Sequence, residues 1–216
     1  MLAVTHTLIS GLSAVFVLLK SAFIIFVANL HSPDNILLSD DDTQIKVIDF
    51  GQARQFYVSP DGRELPFPAR DRWKIGNKEY VVLVDDSLPT SRDLIFRRVS
   101  CCRAPELYLN TDFFGTLLDL FACGVILFIM LVGTPPFERV QLTDEGVYLQ
   151  ILEQGVTGLA RQMCPDRSCV VCRDPNGTQS CRVSPDADEV ITGLLMPPAR
   201  RLTMQSLRRC PWMSDH

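Results

Sequence analysis

The sequence predicts a mainly α-helical fold carrying one small β-hairpin, and three observations predict it. A continuous apolar run from Leu117 to Val132 is bounded by Gly133 and Pro135. That is the pattern of a helix buried on all sides and stopped by helix breakers. From Val147 to Gln162, apolar residues recur at helical spacing (Val147, Ile151, Leu152, Leu159), which predicts an exposed amphipathic helix. Upstream, two β-forming runs, Ile36–Leu38 and Ile45–Ile48, flank an aspartate-rich tip at Ser39–Gln44. Strand formers on both sides of turn formers predict the hairpin.

Composition bounds the rest. With 216 residues, 47% of them hydrophobic, the chain can bury the core of one domain. Its net charge of −4 argues against a nucleic acid partner. The arginines fall in local clusters (Arg92, Arg97, Arg98, Arg103, then Arg200, Arg201, Arg208, Arg209), expected on solvated faces or against carboxylates. Eight cysteines in a chain this long do not make a disulfide scaffold, and without a persuasive secretory signal they are expected as reduced thiols in the cytoplasm.

Taken in order, residues 1–31 form a hydrophobic N-terminal segment. Leu8 to Leu30 is long enough to cross a membrane. Its fourteen Leu, Ile, Phe and Val residues, at about −0.3 to −0.6 kcal/mol each, outweigh the cost of the central Lys20, about +3 kcal/mol. A membrane-inserting helix through residues 8–30 and a buried or aberrant stretch both remain open. In the hairpin, a turn centred on Asp42 would set Asn35 across from Asp49 at the open end. An amide oxygen and a carboxylate would then converge as hard oxygen donors of the kind Mg²⁺ prefers. The plainer alternative has both residues capping turns at strand ends.

Beyond the hairpin, Val81 to Arg103 reads as an insert, expected to be mobile and protease-sensitive. Cys164, Cys169, Cys172 and Cys181 invite a zinc knuckle, but their spacing matches no strong template and Pro165, Pro175 and Gly177 suggest a plain loop, so zinc is not expected. Ser184-Pro185 opens a helix to Leu195 with acidic residues in its first turns. Thr203 to Met213 makes the last helix.

Several of these stretches carry recognisable motifs. Pro33-Asp34-Asn35-Ile36-Leu37-Leu38 followed by Lys46-Val47-Ile48-Asp49-Phe50-Gly51 resembles the catalytic-loop tail and D-F-G motif of protein kinases. Ala104-Pro105-Glu106 matches the family's A-P-E. Asp119-Leu120-Phe121-Ala122-Cys123-Gly124-Val125 with Gly133-Thr134-Pro135-Pro136-Phe137 matches its central helix and the segment after that helix, Phe121 replacing the usual Trp. Arg201-Leu202-Thr203 and Pro211-Trp212-Met213 match its closing segments. The resemblance is to the C-terminal lobe, over residues 32–213, with insert-like stretches at 81–103 and 164–181. The surround of Gly133–Phe137 resembles serine/threonine rather than tyrosine kinases.

This resemblance implies that Asn35 and Asp49 hold Mg²⁺-ATP, that Glu106 and Arg201 form a buried ion pair, and that Asp119 accepts backbone N–H bonds from the catalytic loop. It also exposes what is missing. The family's base lies five residues before the metal-binding Asn, and that position is Leu30, with Asn29 where the Arg belongs. No glycine-rich loop, anchoring lysine strand or partner glutamate helix precedes residue 32. A positioned base contributes about 10²–10⁴ in rate, so the chain is expected to bind ATP weakly or not at all and to be inactive. The expected role is a pseudokinase or lobe fragment meeting protein partners through its helical surface. Because the stretches 13–29 and 81–103 split motifs the fold needs close together, translated non-coding sequence is a further reading.

Overall fold

A computed structural model of the chain describes residues 26–27, 36–39, 45–48, 50, 53–74, 101–138, 140, 146–163 and 183–214. The described residues are mostly helical, with two separate two-stranded antiparallel ribbons. β1 (Phe26–Val27) pairs with β4 (Arg54–Gln55), and β2 (Ile36–Leu38) with β3 (Ile45–Val47). At Phe26 and Val27 the β1–β4 ribbon departs from a helix through residues 8–30: Phe26 faces Gln55 and Val27 faces Arg54, so these two residues are extended chain bonded to a neighbour.

The hairpin of β2 and β3 forms, but one residue away from the expected register. Ile36 pairs with Val47 and Leu38 with Ile45, whereas a turn centred on Asp42 would have paired Ile36 with Ile48. Register in a short ribbon is set by the turn and by which face is buried. Here Ile36 packs against the core while Leu37 is about half exposed, the alternation of a strand with one face covered.

The core helix α1 spans Gly115–Val132. Apart from Thr116 and Asp119 its residues are apolar, and most are buried, so its membrane-like hydropathy is that of an interior helix. It ends at Gly133, whose positive φ of 87° lets its N–H reach the Ile129 carbonyl at 2.7 Å. α3 (Pro185–Leu195) packs against α1 and against α2 (Val147–Met163). The α1–α3 approach is close because Gly124 has no side chain: a Cβ there would stand 2.9 Å from Leu194 Cβ.

α2 differs from expectation. It is broken at Gly155, whose φ of 74° is not helical. Tyr148, Ile151, Val156, Leu159 and Ala160 are buried, while Val147 is exposed. The restart is capped from another helix: Asp188 Oδ1 accepts from the Val156 and Thr157 N–H groups at 2.8 and 3.1 Å. α3 begins as the sequence indicates, with Ser184 as N-cap accepting from Ala187 N–H at 3.2 Å and Pro185 in the first turn. The single last helix is instead two, α4 (Met204–Arg208) and α5 (Pro211–Ser214). Pro211 supplies no backbone N–H to continue α4.

Candidate functional site

The best-defined polar arrangement is buried beneath the helices. Glu106 lies on a single 3₁₀ turn, Pro105–Tyr108, where Pro105 sets the entry. Arg201 follows a turn in which the Arg200 and Arg201 N–H groups both donate to the Pro197 carbonyl at 2.9 Å. The two side chains, 95 residues apart in sequence, meet as a two-pronged pair: Arg201 Nη1 to Glu106 Oε1 at 2.5 Å and Nη2 to Oε2 at 2.9 Å. Arg201 Nε donates to the Met196 carbonyl and Nη1 also to the Leu117 carbonyl, each at 2.8 Å. Its guanidinium carbon stands 5.0 Å from the Phe121 ring centre. Burial of both charges is tolerable only because so many of their hydrogen bonds are made.

Phe121, fully buried, also clusters with the rings of Phe137 and Tyr148, at 6.2 and 6.3 Å between centres. Tyr148 donates its hydroxyl proton to the Leu195 carbonyl at 2.8 Å, and burial pushes its phenol above the ordinary value. Asp119 is buried inside α1. One turn further on, burial and then the Asp119 charge push the Cys123 thiol up to about 12. Asp119, Glu106 and Arg201 are thus buried charges, with the Cys123 thiol held protonated one turn from Asp119.

A second junction joins the ribbon side to this core. The Glu64 carboxylate accepts from the Thr116 backbone N–H at 3.2 Å and from the Thr116 hydroxyl, capping α1 from a segment 52 residues away. Phe67 and Phe113 exchange backbone hydrogen bonds at 2.7 and 3.1 Å and stack with ring centres 5.6 Å apart. Asp112 Oδ1 accepts from Ala69 N–H at 2.9 Å. These contacts were not legible in the sequence, because neither partner sits in a motif or at a helical or strand offset from the other.

Asn35 and Asp49, the expected Mg²⁺-ATP ligands, lie outside the described residues, as does Leu30. So do the cysteines from Cys164 to Cys181. Of the insert expected at 81–103, residues 81–100 also lie outside, but its end departs from the expected mobility: Cys101, Cys102 and Arg103 are buried. Arg103 is not on a solvated face. Its guanidinium lies 5.6 Å from the Tyr108 ring centre, a contact that lowers the cost of burying the charge. Arg200, Arg208 and Arg209 are exposed. Among the described residues, no group of three or more His, Cys, Asp or Glu side chains is placed to hold a metal ion.

A largely buried helix, pinned by a carboxylate from the segment before it and an arginine from the segment near the chain's end, with a β-ribbon laid against it, is consistent with the helical lobe of a protein kinase. Comparison with known proteins agrees. Over 85% of its length the chain is 28% identical to a probable serine/threonine-protein kinase, fhkA, of Dictyostelium discoideum, covering 28% of that protein. Over the same share it is 26% identical to the serine/threonine-protein kinase chk1 of Schizosaccharomyces pombe, covering 27% of it. It is 30% identical, again over 85% of its length, to the human ribosomal protein S6 kinase alpha-4, covering 19% of it. The chain carries a protein-kinase-like domain, similar to those of serine/threonine-protein kinases. It spans less than a third of the length of these relatives. No family model matches it.

Proposed function

We propose that this chain is a catalytically silent kinase-like lobe that acts by binding other proteins through its helical surface. What supports the reading is that, by the resemblance, Leu30 falls where the family has its proton-accepting carboxylate, while the buried cluster of Glu106, Arg201 and Phe121 is built in full. Leucine can neither accept the substrate hydroxyl's proton nor orient it, and loss of a general base costs about 10²–10⁴ in rate. A scaffold with no remaining chemistry to position is what an interaction module would keep. On this reading Asn35 and Asp49 are remnants that would hold Mg²⁺-ATP weakly or not at all, and the chain is cytoplasmic.

The test is phosphoryl transfer from labelled Mg²⁺-ATP to generic serine/threonine substrates by the purified chain. No transfer above an enzyme-free control is expected, and no rise in melting temperature at millimolar nucleotide. Transfer that disappears in Asp49→Ala would overturn the proposal, since a contaminating kinase would not respond to that change.

A further inference from the structure

Outside that buried cluster, the most unusual group is the pair of adjacent cysteines leading into the Pro105–Tyr108 turn. Cys101 and Cys102 are reduced thiols, 0% and 2% exposed, with their sulfurs 3.9 Å apart. We propose that they form a two-point site for a neutral, trivalent hydroxide of a thiophilic metalloid, with arsenous acid as the reference ligand.

The sulfur spacing suits one bridging atom. Two bonds of about 2.3 Å, the length of a typical zinc–sulfur bond, meeting near the tetrahedral angle, span about 3.8 Å. A disulfide would need about 2.05 Å, and adjacent Cα atoms, about 3.8 Å apart across a trans peptide, lie closer than a relaxed disulfide prefers. The pair can therefore clasp a shared atom with less backbone movement than direct sulfur–sulfur bonding requires.

The surroundings select a neutral ligand. A metal cation would have to shed its water into a buried site and would need thiolates. Hydrogen bonding from Cys101 and burial hold the Cys102 thiol protonated far above its ordinary range, and Cys123 on α1 is a third buried thiol that burial holds protonated. A trivalent hydroxide needs no ionised sulfur beforehand. Two As–O bonds and two S–H bonds break, two As–S bonds form, and the thiol protons leave on the displaced hydroxides as two waters. Arsenic stays trivalent, nothing is oxidised, and one hydroxide remains on it. Because both sulfurs are buried, entry requires local opening and is slow.

The experiment uses the full chain, a phosphine reductant in place of dithiols, and arsenous acid as probe. Intact-mass measurement is expected to show a one-to-one adduct and a raised melting temperature. Tryptic cleavage after Arg98 and Arg103 leaves both cysteines on one peptide, and the adduct is expected there. C101S and C102S are each expected to weaken binding about 100-fold, through loss of the second contact. An adduct found only on the peptide holding Cys169 and Cys172, or no adduct at all, would overturn the proposal and leave two thiols merely packed together. The peptide assignment uses the unsubstituted chain, so it stands even if a serine variant fails to fold.

Discussion

The two halves of the described molecule bury themselves differently. Every described residue in the buried class lies at or beyond Cys101. Before it, the side chains that are described between Ile36 and Asp71 are half-buried or exposed, and Leu37, Phe50, Tyr57, Val58 and Leu65 leave about half or more of their surface in water. The helical half thus has its own core, with Glu106 and Arg201 paired inside it. The ribbon half is laid on that core and held by a few long-range contacts, Glu64 to Thr116 and Phe67 to Phe113 chief among them. Helical stability comes mostly from packing an apolar surface. A two-stranded ribbon without such a surface is marginal alone. The division means that the helical half does not depend on the ribbon for its core.

The comparison breaks or sharpens under substitution. Arg201→Ala has the largest expected effect: it leaves Glu106 charged and buried, so unfolding free energy should fall by about 3–5 kcal/mol, read from urea titration followed by circular dichroism. An unchanged midpoint would mean that the two halves do not differ as described. Gly124→Ala comes next. Its new methyl meets Leu194 Cβ at 2.9 Å, and overpacking of this kind costs about 1–3 kcal/mol, seen as a lower melting temperature. Asp188→Ala removes the cap on the restarted second half of α2. A loss of about 1–2 kcal/mol is expected, with faster hydrogen exchange at Val156 and Thr157 as the local signature.

Glu64→Ala is the smallest and most discriminating change. It releases the cap on α1 without touching the core, so about 1 kcal/mol or less is expected globally. Limited proteolysis should nonetheless cut within residues 53–74 well before it cuts the helices. Equal rates of cutting in both halves would show that the ribbon is as firmly held as the core.

Much of the helical half could be read in advance because its signals are local. The apolar run Leu117–Val132 marked α1, and Ser184-Pro185 marked the start of α3, since a cap and a proline act on the turn they begin. The hairpin was legible as a hairpin, but its register was not. An aspartate-rich tip permits several turns, and burial of Ile36 decides among faces only after the core exists. The break at Gly155 was missed for a related reason: apolar spacing continues through it, and the carboxylate that caps the restart belongs to Asp188, a residue of another helix.

The sequence by itself therefore determined where the main helices lie, that a ribbon precedes them, and that the chain resembles protein kinases. Only the tertiary structure decided the pairing of Glu106 with Arg201 in detail, the capping of α1 by Glu64, the ribbon's register and the close contact of the Cys101 and Cys102 sulfurs. Secondary structure answers to neighbours within a few positions along the chain. These arrangements answer to groups tens of residues away, or to the packing around them, which chain order alone does not specify.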